Sequence, residues 1–204
     1  DPMCGSAAVP VELAMSQKQC SLPKTHNLCG DVDLSVLPMV VDNLQHSGLG
    51  PVVDFMQLNC ECLPFREGSL DVVVTDLPFG KRIGNYLSVK TFYPVAFREL
   101  ARVTRPGTGR AVVLTHQYRI AMKSAMDMRP ELWAVADVVK LNHGGLRCAI
   151  ITVRRTAIPF PGHVSPPAGS SSVGPPEGAQ PDPGGEEVVQ EGRVDGVPDA
   201  MDAS

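Results

Sequence analysis

The sequence predicts an α/β domain on a mostly parallel sheet that closes with an antiparallel hairpin towards its C-terminal side. Three observations carry this. The run Leu70-Asp71-Val72-Val73-Val74-Thr75 is short, β-branched and almost uninterrupted in its apolar character, the pattern of a strand buried on both faces of a parallel sheet. Helix-compatible stretches alternate with other short apolar runs on either side of it, as they do in strand–helix–strand units. Towards the end, Trp133 to Leu141 and Leu146 to Val153 are two apolar runs joined through Gly144-Gly145, which reads as a hairpin.

Taken in order, the chain opens on Asp1-Pro2-Met3-Cys4-Gly5-Ser6-Ala7-Ala8, a turn of small residues running into the helix-compatible Val9 to Ala14. Such a turn places backbone N–H groups where a ligand can meet them, and its small side chains permit close approach. It also serves as an ordinary connection. Thr25 to Asp31 reads as a short strand ending in an acid. An acid this far beyond a Gly-containing turn accepts hydrogen bonds from ribose hydroxyls, although Asp31 suits a turn or cap equally. Asp33 or Ser35 caps the next helix, with Pro38 in its first turn and Gly48 near its end. Val52 to Cys60 forms a third strand, whose end at Asn59-Cys60 could border an adenine pocket. After the Leu70 run come a helix from Phe92 to Val103, a strand from Arg110 to Thr115 and a helix from Tyr118 to Met126.

The Leu70 run stops abruptly at Asp76-Leu77-Pro78-Phe79-Gly80, and in an open α/β sheet the ligand crevice lies just beyond such a strand's carboxyl end. This order suits methyl transfer to an exocyclic amino group of a nucleobase, whose nitrogen is a poor nucleophile because its lone pair is delocalised into the ring. The Asp76 carboxylate and the Leu77 carbonyl, held by the restricted Leu77-Pro78 geometry, can accept the two N–H bonds and turn the lone pair towards an electrophile. Phe79 can stack on the base, and Gly80 allows close backbone approach. The same residues also fit a strand ending in an Asp-containing turn with Phe79 in the core. Lys81 and Arg82 fit either phosphate contacts beside the base or solvated loop charges.

Composition narrows the class. At 204 residues the chain is long enough for one domain with a sizeable core. Residues 81–155 carry fourteen Lys/Arg against four Asp/Glu, a balance of +10. Residues 1–80 and 156–204 each carry −7, which brings the chain to its net −4. A basic half beside Asp76 is what phosphate binding needs. The six cysteines form no disulfide-like framework and no zinc-like spacing, which points to a reducing compartment and to no metal. No signal peptide or membrane span is read. From 156 to 204, Pro, Gly, Ser and acids dominate without any apolar period, so this segment reads as a disordered acidic tail beside a catalytic domain at 1–155.

With these motifs placed, residues 1 to about 155 resemble the THUMP-domain-associated RNA methyltransferases, and among them the THUMP domain-containing protein 3 family. The marks are Asp1-Pro2-Met3-Cys4-Gly5, Gly30-Asp31, Asp76-Leu77-Pro78-Phe79-Gly80-Lys81-Arg82, Arg105-Pro106 with Gly109-Arg110-Ala111, and Gly144-Gly145-Leu146-Arg147. The resemblance implies a class I S-adenosylmethionine (SAM) methyltransferase fold, a Rossmann-like three-layer sandwich, methylating guanine N2 in tRNA in the cytoplasm or also the nucleus. It implies a small zinc-binding activator subunit as partner. It also implies that Asp1 to Gly5 line the methionine end of SAM, Asp31 its ribose and Asn59-Cys60 its adenine, with Asp76 to Phe79 on the target base. Ala7 stands where the family usually has glycine, and Asn59 where it has aspartate, so crowding of the cofactor and a weakened adenine contact are expected. The strand that leads into Asp1 in the family, and the THUMP region before it, are absent from the sequence. Rival expectations are methylation of another amine or amide, such as a DNA base or a protein glutamine, and an inactive truncated form that keeps partner binding.

Overall fold

The computed structural model describes residues 1–21, 25–48, 52–78, 86–128, 131–143 and 145–162. Ten elements follow in order: α1 (Ala8–Gln19), β1 (Asn27–Asp31), α2 (Leu37–Ser47), β2 (Val53–Gln57), β3 (Val72–Asp76), α3 (Tyr86–Val103), β4 (Arg110–Thr115), α4 (Tyr118–Met126), β5 (Trp133–His143) and β6 (Leu146–Arg155). β4 and α4 have the expected bounds. A short 3₁₀ turn, Leu34–Val36, precedes α2, and Asp33 caps it by accepting the Ser35 N–H. Pro38 sits in the first turn of α2, and Gly48 closes that helix in the left-handed conformation. α3 starts at Tyr86 rather than at Phe92, which places Pro94 inside the helix.

The strands form two sheets. β1 and β2 pair in parallel, Asn27 opposite Val53 through Asp31 opposite Gln57. The second sheet has the order β3-β4-β6-β5. Its β3–β4 pair is parallel, with Asp76 opposite Leu114, and its other two pairs are antiparallel. The mostly parallel character expected of the sheet therefore holds for β1 to β4, and the C-terminal hairpin supplies the antiparallel part.

Burial on both faces of β3 is corrected by the structure. Val73 and Thr75 are buried, whereas Val72 is 51% exposed and Asp76 is exposed. Successive side chains face opposite sides of a strand, so Val73 and Thr75 lie on the covered face of β3 while Val72 and Asp76 lie on the open one. β1 and β3 belong to different sheets and have not closed up against each other. Instead the open edge of β1 is used by the first residue: the Asp1 amino group donates to the Leu28 carbonyl (2.9 Å) and the Gly30 N–H donates to the Asp1 carbonyl (2.9 Å). Asp1 thus occupies the place of a last residue in a parallel strand beside β1.

Two cores follow from this division. Cys4, Ala7, Cys29, Val40 and Val53 pack around the small sheet. The larger core joins the four-stranded sheet to α3 and α4 through Tyr93, Phe97, Leu100 and Ile151, and Met3 packs against it from the opening turn.

Buried polar groups tie the segments together. Arg155, 1% exposed, donates from Nε to the Ala101 carbonyl (2.7 Å) and from Nη1 to the carbonyls of Thr156 (2.9 Å) and Ile158 (2.8 Å). It thereby locks the end of β6 to α3. Arg155→Met is expected to remove about 3 kcal/mol of stability, because several buried acceptors lose a charged donor. For a domain of this size that lowers the melting temperature by roughly 10 °C. An unchanged melt would show these bonds to be redundant.

Glu99 and Arg102 of α3 hold the segment after β2. Glu99 Oε1 accepts the Leu63 N–H (2.7 Å), and Arg102 donates to the carbonyls of Leu63 and Phe65 while bridging back to Glu99. Burial pushes the Glu99 carboxyl up, but the bonds from Arg102 and the Leu63 N–H outweigh it and leave the group below its ordinary value. A carboxyl lowered on folding stabilises the native state above its unfolded value, ~4.3 for glutamate, and that contribution fades as the pH falls through the lower folded value. Glu99→Gln is therefore expected to cost about 2 kcal/mol at pH 7 and progressively less below pH ~4. Urea denaturation of both proteins across pH checks this; a gap that does not shrink on acidification would exclude it.

Candidate active site

The opening turn is fastened to the end of β1. The Cys4 N–H donates to the Gly30 carbonyl (2.8 Å), the Gly5 N–H to Asp31 Oδ2 (3.0 Å) and the Met3 N–H to Asp1 Oδ1 (3.1 Å). This corrects one expectation: those N–H groups are taken up within the protein rather than offered to a ligand. Gly30 shows why the junction is tight, since a Cβ there would lie 2.2 Å from the Met56 carbonyl oxygen and 2.5 Å from Leu58 Cγ. Ala7 has φ +62° and is fully buried. The reason glycine suits this position is therefore backbone conformation, with a penalty of roughly 1–2 kcal/mol for alanine. The alanine methyl is part of the small core.

Asp31 accepts N–H bonds on both oxygens, from Gly5 and from Asp33 (3.1 Å). A carboxylate offers about four acceptor positions, so capacity for ribose hydroxyls remains. Its own carbonyl accepts the Leu58 N–H (3.0 Å), which brings Asn59 and Cys60 to the same corner. Asn59 is exposed and closes a turn by accepting the Glu61 N–H (2.9 Å). Cys60 is buried, and burial pushes its thiol up to about 12, which leaves it a neutral packing group. A Cβ built on Gly5 meets nothing within 4 Å, so the turn has open space beside the Asp31 carboxylate. The spare acceptor capacity of Asp31 and the open space beside Gly5 fit the ribose of SAM.

Asp76 stands at the carboxyl end of β3, fixed by the pairing with Leu114 and by the Leu77 N–H donating to the Leu114 carbonyl (2.9 Å). Leu77 is fully buried, so its side chain anchors the motif in the core. The next contact involves a residue outside the motif, Tyr93 of α3. Tyr93 donates its hydroxyl to the Pro78 carbonyl (2.9 Å) and shares a hydrogen bond with Thr115 Oγ1 (2.8 Å). Burial first, then the charge of Asp76, raises its phenol to about 12 against a lowering bond from Thr115, so it stays protonated as a donor. A single tyrosine within an apolar helix face looks like ordinary core, and only its partner across the fold identifies it. Phe79, Gly80, Lys81 and Arg82 lie outside the described residues, so base stacking and phosphate contact remain expectations.

The same architecture recurs in known structures. TrmN from Thermus thermophilus superposes with a TM-score of 0.62 at 22% identity, over 76% of this chain and 42% of that one. The fold is that of the class I SAM-dependent methyltransferases. Residues 1–149 match the family described as UPF0020: RMKL-like, methyltransferase domain, and the chain belongs to it. A Bos taurus relative, tRNA (guanine(6)-N(2))-methyltransferase THUMP3, is 37% identical over 166 residues, 78% of this chain and 33% of the relative. A second Bos taurus relative, U6 snRNA (guanine-N(2))-methyltransferase THUMPD2, is 28% identical over 60% of this chain and 23% of its own length. The chain thus spans about a third or less of the length of these relatives.

Tyr93→Phe removes the clamp on Pro78 without enlarging the core. It is expected to lower kcat about tenfold, or ~1.4 kcal/mol, with SAM affinity unchanged. An equal loss in SAM binding would mean that the hydroxyl supports the whole sheet instead of the motif.

Proposed function

We propose that this chain is the catalytic domain of a SAM-dependent RNA methyltransferase that methylates the exocyclic N2 of guanosine in tRNA. The observation that carries the reading is Asp76-Leu77-Pro78, anchored at the carboxyl end of β3 by Leu114 and Tyr93, in a chain whose relatives are named for guanine-N2 methylation. SAM supplies a methyl group already activated on a positive sulfur, so no covalent enzyme intermediate is needed. Asp76 and the Leu77 carbonyl accept the two N–H bonds of the guanine amino group and aim its lone pair. The Tyr93 hydroxyl holds the following carbonyl, Pro78, so that Leu77 cannot swing away. Phe79 stacks on the base, and Lys81 and Arg82 contact its phosphates. On the cofactor side Asp31 takes the ribose, Asn59-Cys60 border the adenine, and Asp1, Pro2, Met3, Cys4 and Gly5 line the methionine end. A small zinc-binding activator subunit is the protein partner in this reading, and the cytoplasm, or also the nucleus, is its location. The domain end read at residue 155 moves outward, because the Thr156 and Ile158 carbonyls hold Arg155 and Phe160 packs against the larger core.

Incubating the full-length protein that carries this chain with SAM and unmodified tRNA, followed by nucleoside analysis, tests the reading. N2-methylguanosine is the expected product. Methyl groups found on a DNA base or on protein glutamine instead would transfer the same motif to another acceptor. The division into two sheets favours a second reading for the 204-residue chain by itself, an inactive fragment that keeps partner binding.

A further inference from the structure

Two cavities share part of their lining beyond the carboxyl end of β4, and both are lined by cations. The first, about 590 Å³, opens beyond the end of β4 and is lined by His116, Arg119, Lys140 and Arg147 with no acid. The second, about 650 Å³, is a groove between α3 and α4 lined by Lys90, Arg98, Arg119 and Lys123; its single acid, Asp127, lies 3.8 Å from Lys123. Arg119 and Ile120 belong to both, so the two form one continuous track. Their volumes fall in the range of small-ligand sites, roughly 300–1,000 Å³. The helical spacing explains the groove. Lys90, Pro94 and Arg98 stand four residues apart on α3, and Arg119 and Lys123 do so on α4, so each helix presents one stripe to the same channel.

The position of the track relative to Asp76 gives it a direction. Asp76 pairs with Leu114, and His116 follows two residues later, its Nδ1 bonded to the Arg147 carbonyl (2.9 Å). A carbonyl can only accept, so Nδ1 carries the proton and the ring is locked against the hairpin. The same corner is tied to the motif through Thr115, whose hydroxyl meets both Tyr93 and the Gln117 N–H (2.8 Å). Lys140 lies over the Tyr118 ring at 5.1 Å, which fixes one wall. Arg119, Lys140 and Arg147 are exposed, and none forms an ion pair with an acid among the described residues.

We propose that this track is the path of the RNA strand next to the methyl-accepting guanine, its phosphodiester backbone running from the Lys140–Arg147 cavity across Arg119 into the α3–α4 groove. An acidic protein would also complement the charge. The track begins at the acceptor edge, however, where a flanking nucleotide must lie when the target base is at Asp76, and single-sign clefts raise the local concentration of a polyanion. The inference rests on the RNA-methyltransferase reading and adds to it which surface holds the strand.

The test uses the full-length protein and a triple variant, Arg119→Gln, Lys140→Gln and Arg147→Gln, with Arg154→Gln as a control at the amino end of β4. RNA affinity is measured across salt concentrations with tRNA and with an unrelated single-stranded RNA, alongside SAM affinity, melting temperature and N2-methylguanosine formation. Three lost phosphate contacts are expected to reduce the slope of log K against log salt by about 2. Affinity for both RNAs should fall on the order of tenfold to a hundredfold, with SAM binding and melting unchanged and the control like wild type. An unchanged salt slope and affinity in a well-folded triple variant would overturn the proposal. So would a variant that loses binding to polyglutamate but not to RNA. If the slope falls as expected while the wild type makes no N2-methylguanosine, the track stands and the guanine-N2 reading fails.

Discussion

Asp76→Ala in the full-length protein is expected to lower kcat for methyl transfer by about a thousandfold or more, ~4 kcal/mol of barrier, while the SAM dissociation constant moves within a few-fold. The separation of effects follows from where the residue stands. Asp76 ends β3, in the four-stranded sheet with Tyr93 and Thr115, whereas Asp31 and the opening turn belong to the β1–β2 unit. Removing an exposed carboxylate at a strand end leaves both cores intact. On the proposed mechanism it deletes the acceptor that turns the amino nitrogen towards the methyl group. Single-turnover kinetics with tRNA and calorimetric SAM titration check the two halves. Turnover within tenfold of wild type would exclude the orienting role, and a matching collapse in SAM affinity would reassign Asp76 to the cofactor.

The 204-residue chain tested alone should bind SAM at least tenfold more weakly, and melt at a markedly lower temperature, than the same chain carrying an aliphatic strand of about six residues joined upstream of Asp1. Asp1 already pairs with Leu28 and Gly30 as a parallel strand's last residue would, so chain added there continues along β1. β3 is likewise an outermost strand, at the end of the second sheet. Neighbouring strands lie roughly 4.8 Å apart, so one strand between β1 and β3 would set them about 10 Å apart and join the sheets into one. Unpaired backbone groups that are shielded from water cost ~1–3 kcal/mol each against a total stability of about 5–15 kcal/mol, so several ladder bonds decide whether the cofactor corner and Asp76 hold their relative places. Thermal melts and SAM titrations of both chains supply the comparison. Tight one-to-one binding by the shorter chain would show that β1 and β3 need nothing between them.

The sequence by itself determined the fold class, the order of the elements and the place of the acceptor motif, because each is encoded locally. The β-branched Val72-Val73-Val74 run, the amphipathic spacing of α4 and the glycine turn of the hairpin need no distant partner to be recognised. Their family marks likewise lie in contiguous residues. Other properties required the tertiary structure. Whether β3 is buried on two faces depends on what packs over each face, and its alternating burial shows that only one face is covered. The N–H groups of the opening turn looked available until β1 was seen to use them, and the glycine preference at Ala7 proved to be a matter of φ. Tyr93 and Arg155 gave no local signal, since the Tyr93 partners are 15 and 22 residues away and Arg155 reaches α3 through Ala101, 54 residues away. The basic track is of the same kind. Its cations are scattered from Lys90 to Arg147 in sequence, and they form one surface because α3, α4 and the β5–β6 hairpin converge at the carboxyl end of β4.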